Sequence, residues 1–67
     1  MTWEELKQKA KEMGSNVEVF DEFIEVGYLY FWNDGEINML GETVAKKRTP
    51  DQMYSIMKAL QQEVDDG

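Results

Sequence analysis

The chain reads as an α+β domain, a two-layer α-β-β-β-α sandwich in which a three-stranded antiparallel sheet carries both helices packed on one face. Three observations predict it. Stretches with apolar residues at spacings of three and four stand near both ends, each opened by capping residues. The middle is rich in aromatic and β-branched residues that alternate with period two. Asn33-Asp34-Gly35 divides that middle where a hairpin turn belongs.

The first helix is expected over residues 3–13. Thr2-Trp3-Glu4-Glu5 is a capping box, in which the Thr2 hydroxyl accepts the Glu5 amide and the Glu5 carboxylate accepts the Thr2 amide. Trp3, Leu6, Ala10 and Met13 share one face, and Gly14 offers a left-handed residue to end the helix. Val17-Glu18-Val19-Phe20 alternates as a strand over 17–20, Asp21-Glu22 makes a tight turn, and Phe23-Ile24-Glu25-Val26 opens a second strand over 23–32.

That second strand carries a parity conflict. Unbroken, it puts Ile24, Val26, Tyr28, Tyr30 and Trp32 on one face and Phe23, Glu25, Leu29 and Phe31 on the other, so neither face is cleanly apolar. A β-bulge at Gly27 resolves the conflict by flipping the alternation. Ile24, Val26, Leu29 and Phe31 then face the core, and Glu25, Tyr28, Tyr30 and Trp32 face away. A three-residue loop at Asn33-Asp34-Gly35, with Gly35 left-handed, pairs Trp32 with Glu36, Phe31 with Ile37 and Leu29 with Met39. The third strand is expected over 36–44, with Gly41 a kink. Thr49-Pro50-Asp51-Gln52 starts the second helix over 50–64, whose stripe is Met53, Ile56, Met57, Leu60 and Val64, and 65–67 form a frayed tail.

The chain has 67 residues, one domain's worth, and a domain of this size hides only about 60% of the surface its unfolded chain exposes. Cysteine and histidine are absent, which removes disulfides, thiolate ligands and the commonest general base and neutral metal ligand. No run of 18 apolar residues and no secretory h-region is present, so the expected setting is the cytoplasm, away from membranes. Glu18 and Glu25 are expected to face one another across the first hairpin, but a like-charged pair suits a solvated face and a domain this small offers no deep pocket for acid-base work, and Asp21, Asp34 and Glu36 lack a calcium-loop spacing. Met13, Met39, Met53 and Met57 fall on inward faces. The expectation is a non-enzymatic protein with no cofactor and no metal.

What remains is a bare sheet face. Tyr28, Tyr30, Trp32 and Leu40 form an apolar patch there, with the three aromatics expected to be the most exposed in the chain, and Tyr and Trp are enriched in binding hot spots. A more ordinary account makes them strand formers half-covered by Glu25 and Glu36. The net charge of −7, from 14 acidic and 7 basic residues, favours basic partners and opposes phosphate backbones. The patch therefore points to a protein partner, or to a second copy of the chain packed sheet to sheet.

The competing class is nucleic acid. With Lys46-Lys47-Arg48 just ahead of the second helix and Lys58 inside it, the α-β-β-β-α order resembles a double-stranded RNA-binding domain. That resemblance implies that Lys46 and Lys47, with Arg48 beside them, grip phosphates across the RNA major groove. The Asp51 that follows opposes an anion at the helix start. A solvated basic loop is the plainer account of the cluster. In style, a short acidic chain of this kind also resembles the small accessory proteins of bacteria, phages and mobile elements, several of which occupy a basic, nucleic-acid-handling host protein; this implies a basic protein as partner.

Overall fold

In the computed structural model, residues 1–14 and 16–65 are described, with side chains as far as Gln61. The Val64 side chain of the expected apolar stripe and residues 66–67 of the expected tail lie outside these, and Asp65 closes the last helix.

Helix α1 spans Trp3–Lys11 and begins at the expected capping box: the Thr2 hydroxyl accepts the Glu5 amide at 3.1 Å, and the Glu5 carboxylate accepts the Thr2 amide at 2.8 Å. Helix α2 spans Pro50–Asp65 and starts on the same device, with Thr49 and Gln52 exchanging bonds of 3.1 and 2.9 Å. Each box satisfies amide donors that the first turn leaves without intrahelical partners.

Five strands lie between the helices, not three. They are β1 (Val17–Val19), β2 (Phe23–Val26), β3 (Leu29–Trp32), β4 (Ile37–Met39) and β5 (Glu42–Ala45), all antiparallel and in the spatial order β1-β2-β3-β4-β5. The three-stranded expectation fails at two glycines. Gly27, with φ 59°, does not form a bulge: Val26 pairs with Leu29 across a two-residue turn, Gly27-Tyr28, so the expected strand 23–32 is a hairpin. Positive φ at the first central residue and not the second is the type II′ pattern. Leu40 and Gly41 have φ 52° and 86° and link Met39 to Glu42, so the expected strand 36–44 is a second hairpin, with the paired positive φ of a type I′ turn. The element order is therefore α-β-β-β-β-β-α, which removes the order on which the resemblance to a double-stranded RNA-binding domain stands.

The bulge lies elsewhere. Ile37 pairs with Ala45 and Asn38 with Thr43, which makes Val44 the extra residue. On a regular strand Thr43 and Ala45 share a face; the inserted Val44 turns Thr43 outward beside Asn38 and Ala45 inward beside Ile37.

The core is one cluster shared by both helices and the inner sheet face. Leu6 and Ala10 from α1, Met53 and Met57 from α2, and Ile24, Val26, Phe31 and Ile37 from the sheet are all buried. Hiding a large apolar side chain of this kind stabilises by about 1.5–3 kcal/mol before entropy is charged against it. Phe31 is fully buried and Leu29 packs against the cluster, which sends Tyr30 and Trp32 to the opposite face. Met39, expected inward, is 42% exposed at the end of β4.

Candidate functional site

The outer face is built by alternation on β2 and β3. Phe23 and Glu25 point outward opposite Trp32 and Tyr30, their register partners. The rings form one stack: Phe23 lies 4.6 Å from Phe20, 5.5 Å from Tyr30 and 4.8 Å from Trp32, centroid to centroid. These separations suit offset and tilted aromatic pairs. The stack corrects the expected exposures. Tyr30 and Trp32 are half-buried, and the two most exposed aromatics are Tyr28 at 72% and Phe20 at 41%. Phe20 and Phe23 are no part of the expected patch, although Phe23 shares its parity with the outward-facing Glu25. The Trp32 indole Nε1 is buried without a hydrogen-bond acceptor among the described residues.

Beside the stack, on the β4 side, the surface is concave. A hollow of about 680 Å³ is lined by Tyr28, Tyr30 and Trp32 on one flank, by Glu36, Asn38 and Thr43 on the other, and by Gly27, Leu40 and Gly41 at the turn end. All four residues of the expected patch line it. A smaller hollow of about 380 Å³ lies on the other side of the Gly27-Tyr28 turn, between the sheet and α2, with Val26, Leu29, Met39 and Leu60 among its walls.

The polar flank is a closed triangle. Asn38 Nδ2 donates to Glu36 Oε2 at 2.9 Å and to Thr43 Oγ1 at 3.0 Å, and the Thr43 hydroxyl donates to the same Glu36 oxygen at 2.6 Å. The bonds from Thr43 and then Asn38, with the nearby Lys46 charge, hold the Glu36 carboxyl below the usual glutamate range. No ion pair joins Lys46 to Glu36 within 4.0 Å among the described residues.

Lys46, Lys47 and Arg48 are exposed on the connection from β5 to α2. This segment props the turn before β4, since the Arg48 amide donates to the Gly35 carbonyl at 2.9 Å, and Lys47 takes φ 57° on the way. Of the other cations, Lys7 pairs with Glu4 at 3.1 Å, while Lys9 and Lys58 both lie 5.5 Å from the Tyr54 ring centre. Among the described residues, no three carboxylates converge as a metal-binding group, and no helix is long and apolar enough to cross a membrane. No family model, curated protein or solved structure matches the chain.

Proposed function

We propose that this chain is a non-enzymatic cytoplasmic module that binds a basic protein through the hollow on its outer sheet face. The observation that carries the reading is Leu40. It is 75% exposed at the rim of the hollow, and it holds a left-handed conformation, φ 52°, in a two-residue hairpin turn. A residue other than Gly, Asn or Asp costs about 1–2 kcal/mol there, so folding alone favours Asn or Gly at this position. A large apolar side chain held in solvent at that cost, and continuous with Tyr28, Tyr30 and Trp32 around one hollow, supports an interaction role. Tyr28 stands across the mouth in a turn of its own, equally free of any duty in the core. The net charge of −7, with Glu18 paired to Glu25 on the same sheet, selects a basic protein and repels a phosphate backbone.

The test uses Leu40→Asn and Tyr28→Ser, because both positions lie in turns outside the aromatic stack. A protein captured by the wild type is purified and titrated against each variant. Binding that falls at least tenfold in both, while thermal stability is kept, supports the reading. A partner bound equally well by wild type and variants sinks it. Capture that disappears with nuclease moves the site to Lys46, Lys47 and Arg48, and a wild-type dimer in sedimentation that the variants break makes the partner a second copy.

A further inference from the structure

The two flanks of the hollow carry opposite halves of one recognition chemistry. Phe23 packs on Tyr30 and Trp32 from the β2 side, which holds both rings in place on β3 while the hollow opens toward β4. An aromatic face attracts a cation through its quadrupole, most strongly in Trp, and a guanidinium adds planar stacking to that attraction. Across the hollow stands Glu36. Both bonds of its triangle fall on Oε2, and Oε1 accepts none among the described residues. The carboxylate is thus oriented and held without being used up.

We propose that the hollow is a receptor for a single arginine side chain of the partner protein, its guanidinium lying against the Tyr30 and Trp32 rings and donating to Glu36 Oε1. This rests on the reading of the outer face as a binding surface. Arginine is favoured over lysine because a compact, strongly hydrated ammonium gains less from an aromatic wall. A neutral apolar side chain uses the rings but leaves the Glu36 oxygen unpaired, and a carboxylate or phosphate meets Glu36 head on. The triangle itself is the reason the acceptor is ready: Asn38 and Thr43 fix the carboxylate before any ligand arrives, so little side-chain entropy is lost on binding.

The experiment is a ¹⁵N-correlation titration with blocked Gly-Arg-Gly, and with Gly-norleucine-Gly as its apolar counterpart. The Trp32 indole N–H and the amides of Asn38 and Thr43 are the reporters. Saturable shifts confined to these residues are expected with the arginine peptide, and at least tenfold weaker binding with norleucine. In Glu36→Gln the carbonyl oxygen still accepts from Asn38 and Thr43, so the fold is kept, the Phe31 and Ile37 amides stay in place, and arginine binding falls at least tenfold. A variant-free check is salt, since added electrolyte weakens a charge-based contact and leaves an apolar one intact.

Equal binding of the norleucine peptide, indifference to Glu36→Gln, or no saturable shift with arginine overturns the proposal. These outcomes separate it from the reading it rests on. A purified partner still lost by Leu40→Asn, alongside an arginine peptide that does not bind, removes the receptor and keeps the binding face. A partner bound equally well by Leu40→Asn, alongside an arginine peptide that does not bind, removes both.

Discussion

Two turns flank β4, and they follow different rules. Asn33-Asp34-Gly35, before it, has the chemistry its geometry requires. Gly35 takes φ 98°, Asp34 Oδ1 accepts the Glu36 amide at 3.0 Å, and the Trp32 amide closes the loop on the Glu36 carbonyl at 2.9 Å. Leu40-Gly41, after it, places a leucine where asparagine or glycine belongs. The first turn is shaped by folding: its Gly35 is buried, and the chain ahead of α2 leans on it. The second is exposed, has open space beside Gly41 and lines the hollow. A strand with one optimised turn and one costly turn separates what holds the fold together from what the surface is for.

The largest effect is expected at Gly35. A Cβ there meets the Arg48 carbonyl oxygen at 2.9 Å and the Lys47 Cα at 3.0 Å, both backbone atoms that cannot swing aside. Gly35→Ala therefore adds a steric clash to an unfavourable φ and should destabilise by about 2–4 kcal/mol in urea unfolding. It should also displace the Lys46–Arg48 segment, seen as shifted amides there. Gly41→Ala isolates the conformational part, because open space surrounds that position. Its expected cost is about 1–2 kcal/mol, the left-handed penalty alone. If the two substitutions cost the same, the distinction between a supporting turn and a free one is lost.

Leu40→Asn comes next in size and has the opposite sign. Asn-Gly is the preferred pair for a type I′ turn, and the change should stabilise the fold by about 1 kcal/mol while weakening partner binding. Few outcomes test the functional reading so directly. A variant that is more stable and still binds would mean that Leu40 is tolerated strain with no purpose; one that is less stable would mean that its side chain is packed, against the exposure seen.

This contrast also explains what was legible in the sequence. The capping boxes at Thr2 and Thr49 and the register through Gly35 depend on local chemistry that residue identity reveals, and they stand where expected. The sheet faces came out right for an incorrect reason. A bulge and a two-residue turn at Gly27 both reverse alternation, so either one sends Ile24, Val26, Leu29 and Phe31 inward, and the strand count is where they differ. Leu40 conceals the last turn because leucine reads as strand, leaving Gly41 as the sole visible break. The Val44 bulge leaves no mark in composition, yet it brings Thr43 to Glu36 and completes the site. Of the outer face, the side on which Tyr30 and Trp32 stand was legible, but their exposure was not; the Phe23 support and the polar flank arise from pairings that only the folded sheet makes.

The smallest effect concerns the link between the two turns. Glu36 sits directly after the first and Thr43 just beyond the second, so the triangle through Asn38 ties both ends of β4 together. Its glutamate is lowered in the folded state by the bonds from Thr43 and Asn38. A carboxyl depressed on folding contributes stability that is present above its unfolded value, about 4.3, and is lost as the pH falls through the folded value below it. Because the group is solvent-exposed, the contribution to stability is minor, and the informative readout is local. As the pH falls through that window, the Asn38 side-chain amide and the Thr43 backbone amide should shift together, and Gly-Arg-Gly binding should fade with them. Glu36→Gln should abolish that step and leave the similar titration of Glu5, lowered by its bonds at the α1 cap, unchanged. If Asn38 stays still while Glu36 titrates, the triangle is not closed in solution. The wall of the hollow would then be loose, and the contrast between the turns would lose the side chains that connect them.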